Sequence, residues 1–581
     1  MKLNEGFQLL ATAPDGVARL RELILSLAIQ GKLAPQDKDD EPVNRLLDKI
    51  SAEKDRLVAE GKIKQDKPLP AITENDKPFE LPEQWAWVRA QDICTVITDG
   101  DHQPPPKASE GVPFLVIGDV RWGSLDVTLA SRFVPDSYFD QLDWSKKPLA
   151  GDILYTTVGS FGIPVQVTEE RRFCFQRHIG LFRPAQTTLQ PFLNLVLASN
   201  LVFQQASARA TGIAQKTVPL SALRDFKIPF PPLAEQARIV VKVDELMRLC
   251  DELEARGRLE AEHHTRLTAT LFDALAASES PHALAENWSR IAAHFDLLLD
   301  RPEAVGALER TILQLAVRGQ LVPQEPNDEP ASKILEQLRA DSSSALAVKI
   351  PRAGETPTDA ESEAFAAPLG WAWAPFDLVV ECLNGYAFKS EWFSAQGVRL
   401  VRNTNISHGY IDWDQVARVD ADTAAEFERF ALEVGDIVLS LDRPIISSGL
   451  KYAEIKAADL PCLLLQRVAK LTPRAKSITR PFLKMWLTSP YFTDLLDPGR
   501  SNGVPHISTK QIGAIRFALP PVAEQHRIVA RVQGLLRLCA DLRARVTARQ
   551  TCQARFAEAL VGLAASSAPL VAHTDDLAAA A

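Results

Sequence analysis

The sequence lacks long hydrophobic runs and paired cysteines. No stretch approaches the ~18 consecutive apolar residues of a membrane-spanning helix, and the opening MKLNEGFQLL lacks the basic-then-apolar pattern of a secretory signal. We therefore expect no membrane association and a cytoplasmic location. The seven cysteines are scattered without a CxxC pair, and the odd count argues against a disulfide framework or a zinc ribbon. They are expected to be reduced, mostly buried thiols.

The sequence also lacks the motifs by which enzymes hold phosphates, dinucleotides or metals. There is no GxxxxGK[ST] loop, no GxGxxG turn and no HExxH helix. The NPPY type of tetrapeptide, with which adenine methyltransferases stack a flipped base, is absent as well, since Phe230-Pro-Pro-Leu233 has neither the Asn or Asp nor the final aromatic. These absences weigh against an enzyme, and we predict no catalytic residue and no metal site.

Two patterns resemble metal sites without being specific. Asp442 followed by Glu454-Ile-Lys456 has the D…ExK form of a metal-dependent nuclease, in which two carboxylates hold Mg²⁺. The spacing is loose, so we favour a solvated surface stretch. A nuclease stays open as a third hypothesis, to be tested by Mg²⁺-dependent cleavage. For His263-His264, a partner-facing or solvated pair on a helix is favoured over a ligand pair.

Charge is distributed unevenly along the chain. With 581 residues the protein should contain several domains, and its formal net charge is −9. Between Arg171 and Phe230, however, eight Lys or Arg residues face one acid, and between Arg443 and Arg516 twelve face four. Two basic stretches in an acidic chain are typical of surfaces that bind phosphate.

The chain is a tandem duplication. The segment PPLAEQARIVVKVDELMRLCDEL from Pro231 recurs from Pro520 as PPVAEQHRIVARVQGLLRLCADL, with 14 of 23 positions identical. LRELILSLAIQGKLAPQ from Leu20 likewise matches LERTILQLAVRGQLVPQ from Leu308. Between these lie three matched pairs: Trp85-Ala-Trp87 with Trp371-Ala-Trp373, Gly151-Asp-Ile153 with Gly435-Asp-Ile437, and Gln176-Arg177 with Gln466-Arg467. The two copies are similar at their ends and differ in their middle segments. The ends are therefore expected to share one function, and the two middle segments are expected to have different functions.

The repeated segments are predicted to be helical. Apolar residues at alternating spacings of three and four form the seam of a coiled coil, namely Ile239, Val243, Leu246, Cys250 and Leu253 in the first copy and Ile528, Val532, Leu535, Cys539 and Leu542 in the second. The second seam should continue to Phe556. The first should loosen after Leu253 and recover at Leu267 and Leu271.

The shorter repeats should be helices that end at Gly31 and Gly319. Because the second long helix has only the N-terminal short helix left as a partner, the chain should close in a pseudo-two-fold cyclic arrangement.

This pattern predicts an α+β protein with two mixed α/β domains separated by long helices that form an antiparallel coiled coil. The linkers are expected to be extended or disordered, apart from a short helix over 43–60. The predicted boundaries are 1–80 (N-terminal short helix and linker), 81–230 (first domain), 231–325 (central helical region), 326–368 (linker), 369–519 (second domain), 520–563 (distal helix) and 564–581 (flexible tail).

A tandem duplication of a variable domain followed by a Pro-Pro-x-x-Glu-Gln heptad helix resembles the specificity subunit of type I restriction-modification enzymes. The resemblance spans about residues 15–562 and is carried by the two PPxAEQ segments, the WAWV and WAWA openings, GDI at Gly151 and Gly435, and the short helices ending in Gly31-Lys-Leu and Gly319-Gln-Leu. It implies a DNA-binding subunit without catalytic activity. Each of two target recognition domains would bind half of a split sequence in double-stranded DNA, while the helices space them and dock two methyltransferase subunits, to which restriction subunits add. S-adenosylmethionine, ATP and Mg²⁺ would belong to those partners.

Basic residues are expected to position phosphates, and polar side chains on loops are expected to read base edges. For Arg121, Arg177, Arg402 and Arg467, a phosphate contact or a surface ion pair is favoured over base readout. In the first domain the candidate DNA contacts are Lys107, Arg121, Thr157, Ser160, Arg171, Arg172, Arg177 and Lys216. In the second they are Lys389, Arg402, Asn403, Asn405, Arg443, Arg467, Asn502, His506 and Lys510. Since Arg177 and Arg467 recur, we expect them to serve shared backbone contacts or folding. Trp85, Trp87, Trp371 and Trp373 are expected to be core anchors rather than base-stacking residues. The alternative function is a helical scaffold whose domains bind other proteins.

Overall fold

The computed structural model describes residues 10–11, 13–101, 105–212, 215–345, 365–496, 499–501 and 504–566. The chain forms two compact units, one of Met1–Ala261 with Arg549–Ala581 and the other of Glu262–Ala548. The described residues of the N-terminal and C-terminal segments thus belong to the same unit. No helix in the described part is long and apolar enough to cross a membrane.

Four helices carry the repeated sequences. The first short helix is Gly16–Ile29 and the first long helix is Leu233–Ala276; the second short helix is Pro302–Val317 and the second long helix is Val522–Ser566. Both short helices end as predicted, since Gly31 (φ 69°) and Gly319 (φ 70°) adopt the left-handed conformation that closes a helix. A Cβ at either glycine would lie 2.6 Å from a proline ring at the entrance of the following domain.

Each short helix packs on the long helix of its own copy. In the first unit, Arg21 on the short helix pairs with Asp251 (2.7 Å) on the long helix. In the second unit, Arg543 pairs with Glu309 (2.7 Å) in the same manner. The pairing expected between the first short helix and the second long helix is therefore wrong for most of their length. The second long helix joins the first unit only by its last turns, where Ala557 is buried in the same core.

The heptad seams are buried in these cores. Seven of the predicted positions are less than a tenth exposed, and Leu253, Leu535 and Leu542 are partly buried against the same clusters. Farther along the helices the seam prediction is wrong at Leu267 and Phe556, which are 54% and 46% exposed, whereas Leu271 is partly buried against the core as predicted. Phe272 and Ala557 are buried instead, as expected when a 3.6-residue turn drifts against a strict heptad. The expected loosening after Leu253 does not interrupt the first long helix.

The first domain is built on a four-stranded antiparallel sheet. Its strand order is Cys94–Asp99, Ile179–Pro184, Ile153–Thr156, Pro164–Gln166. The remaining strands are Phe133–Val134, Val112–Leu115 and Cys174–Phe175 in a three-stranded sheet, the hairpin Val120–Arg121 with Ser124–Leu125, and the pair Ala86–Arg89 with Lys227–Phe230. The domain's helices are Ala90–Ile93, Asp136–Gln141, Gln190–Ala198, Asn200–Arg209 and Leu220–Arg224.

The second domain repeats this plan with additions. Its main antiparallel sheet has the order Val380–Asn384, Val468–Pro473, Ile437–Ser440, Tyr452–Glu454. The other strands are Phe393–Ser394, Ala417–Val419, Val398–Val401 and Cys462–Leu464 in a second sheet, and the pairs Ala372–Pro375 with Arg516–Leu519, Ile445–Ile446 with Gly449–Leu450, and Gly499–Ser501 with Val504–His506. Its helices are Phe376–Val379, Ala421–Ala425, Arg480–Thr488, Pro490–Asp494 and Thr509–Ala514. The predicted α+β class is confirmed.

The repeated Gly-Asp-Ile motif places a buried aspartate at the start of a central strand in each domain. Asp152 receives two hydrogen bonds from Arg183 (2.8 and 2.7 Å) and one from the backbone N–H of Leu149 (2.8 Å). Its counterpart Asp436 pairs with Lys470 at 2.6 Å. Burial raises the pKa of Asp152, and the bonds from Arg183 oppose that effect. The motif is therefore explained by folding.

The linkers contain more helix than predicted. The helix expected over 43–60 is present as Val43–Ala59. The second linker, expected to be extended or disordered, contains the helix Ala331–Ala345, which buries Ile334 and Leu338 in the core of its unit. Residues 346–364 and 567–581 of the linker and tail lie outside the described residues. The central region also holds the helices Pro281–Ala293 and Phe295–Leu298.

The cysteines are free thiols, as predicted. Cys94, Cys174, Cys250, Cys462 and Cys539 are buried, Cys382 is partly buried and Cys552 is exposed.

Candidate nucleic-acid interface

The loops at one edge of the main sheet in the first domain come together. We call this group the first loop cluster: residues 98–101, 157–160, 176–178 and the described part of 211–217. The strands on either side end at Asp99 and Thr156 or begin at Ile179, so antiparallel pairing brings these connections to the same edge. Backbone bonds hold the loops against one another, from Thr157 N–H to the carbonyl of His178 (3.0 Å) and from Gly159 N–H to that of Lys216 (3.0 Å).

The second domain has an equivalent second loop cluster, made of residues 384–386, 441–443, 465–467 and 505–509. The N–H of Arg443 donates to the carbonyl of Pro505 (2.8 Å), which is the bond that Gly159 makes to Lys216 in the first cluster. Asn384 Nδ2 also bonds Thr509 Oγ1 at 3.1 Å and ties the outer loops together.

These bonds correct the alignment of the two copies. The N–H of Thr157 bonds the carbonyl of His178 (3.0 Å), and the N–H of Leu441 bonds that of Arg467 (2.9 Å). Arg467 is therefore the structural counterpart of His178, whereas the sequence match had paired it with Arg177. The inference that Arg177 and Arg467 serve one shared role is wrong, because the two residues do not occupy equivalent positions.

Arg467 belongs to a polar triad that is confined to the second cluster. Its guanidinium lies 3.1 Å from the imidazole Nε2 of His506, whose Nδ1 lies 2.8 Å from the carboxylate of Asp442. Asp442 and His506 also pair through their backbones. In the first cluster Arg177 has a histidine neighbour too, His178 at 3.3 Å, and the pKa of His178 is lowered by burial and by Arg177.

Most of the basic stretch in the first domain is neutralised by its own fold. Six of its eight cations bond carboxylates or carbonyls: Arg171 to Glu169, Arg172 to Asp136 and Asp140, Arg183 to Asp152, Arg209 and Lys227 to Asp225, and Arg224 to the carbonyl of Ile97. Sequence counting missed this because most of these acids lie outside the counted window. Arg177 and Lys216 are left without a carboxylate partner among the described residues, and both are exposed in the first loop cluster.

The other candidates of the first domain are divided. Ser160 is exposed in the first loop cluster. Lys107 is exposed beside the three-stranded sheet, and Arg121 is exposed in the hairpin of Val120–Arg121 with Ser124–Leu125. Arg171 and Arg172 lie away from the cluster in the ion pairs given above. Thr157 is only 4% exposed, so its side chain is not available to DNA and we assign it to folding.

The candidates of the second domain are also divided. Arg443 and Arg467 are exposed in the second loop cluster, and His506 is partly buried there. Lys510 is exposed directly after the cluster, in the helix Thr509–Ala514. Asn405 is 1% exposed, which contradicts its prediction as a DNA contact. Its side-chain amide donates to the carbonyls of Asp412 (2.9 Å) and Gln415 (3.1 Å) and so closes a turn.

Three further predicted residues lie outside that cluster. Arg402 is partly buried and donates to the carbonyl of Gln415, and Asn403 accepts a bond from Lys451. Lys389 is exposed and pairs with Glu391 at 3.5 Å. Asn502 lies outside the described residues.

Exposed aromatic residues at two hairpin tips were missed from the sequence. Trp122 is 61% exposed between the paired residues Val120 and Leu125, and Tyr410 is 53% exposed between the bridged residues Ile406 and Ile411. The turn signal Trp-Gly, following a short strand, could have located the first of them.

The two carboxylates of the nuclease-like pattern have different partners. Asp442 pairs with His506, while Glu454 pairs with Lys484 at 2.5 Å. Within the described part of the chain, no group of three or more His, Cys, Asp or Glu residues is arranged to hold a metal ion. The histidine of the helix, His264, contacts the carbonyl of Leu297 at 3.0 Å.

Comparison with known proteins gives consistent matches. The family model described as the type I restriction modification DNA specificity domain matches residues 82–263. The type I restriction enzyme EcoAI specificity subunit of Escherichia coli is 42% identical over 562 residues, which cover 94% of each chain. The EcoEI specificity subunit of the same species is 30% identical, again over 94% of each chain.

Among solved structures, the HsdS subunit from Thermoanaerobacter tengcongensis matches with a TM-score of 0.37 and 18% identity, covering 84% of this chain and 98% of that one. The family assignment rests on the sequence relatives.

Proposed function

We propose that this chain, which belongs to the family of type I restriction-modification specificity subunits, presents its two loop clusters to two separate segments of one DNA duplex. The chain is a DNA sequence-recognition subunit and is not itself an enzyme. The first domain would read one half of a bipartite target, and the second domain would read the other half.

The observation that carries this proposal is the pair of equivalent loop clusters. Each cluster lies at one edge of the main sheet of its domain and is held by the same backbone bonds, yet the side chains it exposes differ: Arg177 and Lys216 in the first, Arg443 and Arg467 in the second. A constant frame that presents variable polar groups suits the reading of two different base sequences. No observation favours a scaffold for other proteins.

We further propose that the subunit works with methyltransferase and restriction subunits. The duplicated long helices offer two related surfaces, which supports docking of two methyltransferase subunits, one for each copy. S-adenosylmethionine, ATP and Mg²⁺ would then be held by those partners, and the complex would act in the cytoplasm. The seam residues from Ile239 to Leu253 and from Ile528 to Leu542 would keep each long helix folded for that docking.

A domain exchange tests the division of labour. Residues 369–519 would be replaced by the equivalent block of a related specificity subunit, and the methylated motif would be determined by sequencing after expression with the partner methyltransferase. We expect one half of the motif to change while the half read by residues 81–230 stays fixed. Simultaneous changes in both halves would contradict the proposal, as would methylation, cleavage or ATP hydrolysis by the isolated chain.

A further inference from the structure

Two arginines of the second loop cluster have a backbone conformation that residues other than glycine rarely adopt. Arg443 has φ 45° and Arg467 has φ 69°, and Asp15 is the other non-glycine residue with positive φ in the described part. The left-handed region is disfavoured for non-glycine residues because Cβ approaches a neighbouring carbonyl oxygen. Residues held there cluster at functional sites, where the surrounding structure imposes the conformation.

In the first domain, the position equivalent to Arg443 is occupied by a glycine. The counterpart of Arg443 is Gly159, which has φ 66° and makes the equivalent bond to the opposite loop. Glycine adopts this conformation at no steric cost. The fold thus requires a left-handed residue at this point, and the second domain places an arginine where a glycine would be less strained. We attribute the choice to the side chain.

The backbone of both arginines is held from several directions. Arg443 is bonded through its N–H to Pro505, and the carbonyl of Arg467 accepts from Leu441 at 2.9 Å. Leu441 is itself held, because its carbonyl accepts a bond from the N–H of Ile507, also at 2.9 Å. The Cα–Cβ directions of the two arginines are therefore fixed before any ligand arrives, which lowers the entropic cost of binding.

The two guanidinium groups differ in how they are held. The side chain of Arg467 is 47% exposed, and its guanidinium lies 3.1 Å from His506 Nε2 and 3.8 Å from the carboxylate of Asp442. The guanidinium of Arg443 has no hydrogen bond or ion pair to any described residue, and its charge contributes, after burial, to lowering the pKa of Lys451. The cluster thus offers one oriented and one unpaired guanidinium on an exposed edge.

We propose that Arg443 and Arg467 are base-reading residues of the second domain and that the half-site it recognises contains guanine. The guanidinium group presents two parallel N–H donors that match the O6 and N7 acceptors of guanine in the major groove. His506 and Asp442 are positioning residues, since they orient Arg467. This inference rests on the proposed function and adds to it the base that the second cluster reads.

The first variant, Arg443→Gly, installs the glycine of the first domain and relieves backbone strain, so the fold should be at least as stable as in the wild type. In complex with the methyltransferase subunit, we expect its affinity for cognate DNA to fall about 10- to 100-fold. Motif sequencing should show that one guanine of the second half-site has become degenerate while the first half-site is unchanged.

The second variant, Arg467→Lys, keeps the charge but loses the paired donors. It should make another guanine of the same half-site degenerate, and His506→Ala should weaken that same position. A purely structural role for His506 would lower methylation of the motif without broadening it. The matched control is Arg474→Lys, because Arg474 bonds the carbonyl of Asp377 (2.9 Å) outside the cluster and should leave the motif intact.

Two results would overturn the inference while leaving the proposed function in place. One is an unchanged motif in both arginine variants. The other is an equal loss of affinity for all sequences with a smaller salt dependence, which indicates phosphate contacts. Failure of the wild-type complex to methylate any bipartite motif would instead contradict the proposed function itself.

Discussion

The indole Nε1 of Trp85 donates a 2.9 Å hydrogen bond to the carboxylate of Glu235, which lies 150 residues later in the chain. The second copy repeats the bond between Trp371 and Glu524, also at 2.9 Å. Each bond joins the residue just before the first strand of a domain to the first turn of the long helix that follows the domain. This explains both the repeated tryptophans and the Glu of the PPxAEQ motif, and it fixes each domain to its own helix.

Glu235 should make stability depend on pH. Burial raises its pKa to about 7 from an ordinary value of 4.5, and one of its oxygens is buried without a hydrogen-bond partner. Between these two pH values the folded chain binds more protons than the unfolded chain, so the free energy of unfolding falls as pH rises through this window. We therefore expect the melting temperature of the wild type to drop more between pH 5 and pH 8 than that of Glu235→Gln.

The matched variant for this measurement is Glu524→Gln. The pKa of Glu524 is also raised by burial, but its second oxygen accepts a bond from Gln324 at 3.1 Å, so the pH effect should be smaller. Parallel melting curves for the wild type and Glu235→Gln would contradict a raised pKa.

Truncation of the seam should destabilise the first unit. Leu246 is 6% exposed, and its replacement by Ala should cost about 2–5 kcal/mol in urea unfolding, whereas Leu535→Ala should cost less because Leu535 is only partly buried. Val241→Ala on the same helix is the control: Val241 is 68% exposed, and the change should stay within about 0.5 kcal/mol. Equal effects at positions 241 and 246 would mean that the seam is not a packed core.

The salt dependence of DNA binding should identify the cations that meet phosphate. Removal of Arg177 or Lys216 should reduce the slope of log K against log salt concentration by about one unit, because each lacks a carboxylate partner in the described structure. Arg172→Ala should leave the slope unchanged, since Arg172 pairs with Asp136 and Asp140. A slope that responds only to Arg172 would place the DNA elsewhere on the domain.

Breaking the buried pair of the Gly-Asp-Ile motif should be costly. Asp152→Ala leaves Arg183 buried without its carboxylate and should cost about 3–5 kcal/mol, measured by urea unfolding. The double variant Asp152→Ala with Arg183→Met removes both charges and should recover part of that loss. If the double variant is no more stable than the single one, the pair contributes by packing alone.

The sequence was sufficient for features that are repeated locally along the chain. Alternating spacings of three and four predicted the long helices, and the two glycines predicted the ends of the short ones. The helix Ala331–Ala345 was missed because its linker is polar and its few apolar residues are buried only by distant partners such as Phe376. Burial against remote segments is not visible in a local pattern.

Contacts within the candidate site were harder to predict. Arg467 was matched to Arg177 by residue type, but strand register sets the equivalence, and a shift of one residue turns a side chain to the opposite face. The basic stretch overstated the available charge for a related reason, since Asp136, Asp140 and Asp152 come from outside it to neutralise its arginines. The separation of two charged residues along the sequence does not show whether they form an ion pair in the folded chain.

The uneven burial of the cysteines makes the chain suitable for selective chemical labelling. Burial raises the pKa of Cys174 to about 12 and that of Cys539 to about 11, so these thiols are protonated near neutral pH and slow to react. Cys552 is exposed, on the last turns of the second long helix. A maleimide dye should therefore attach first at this one natural position, without mutagenesis and on the face of the helix that points to solvent.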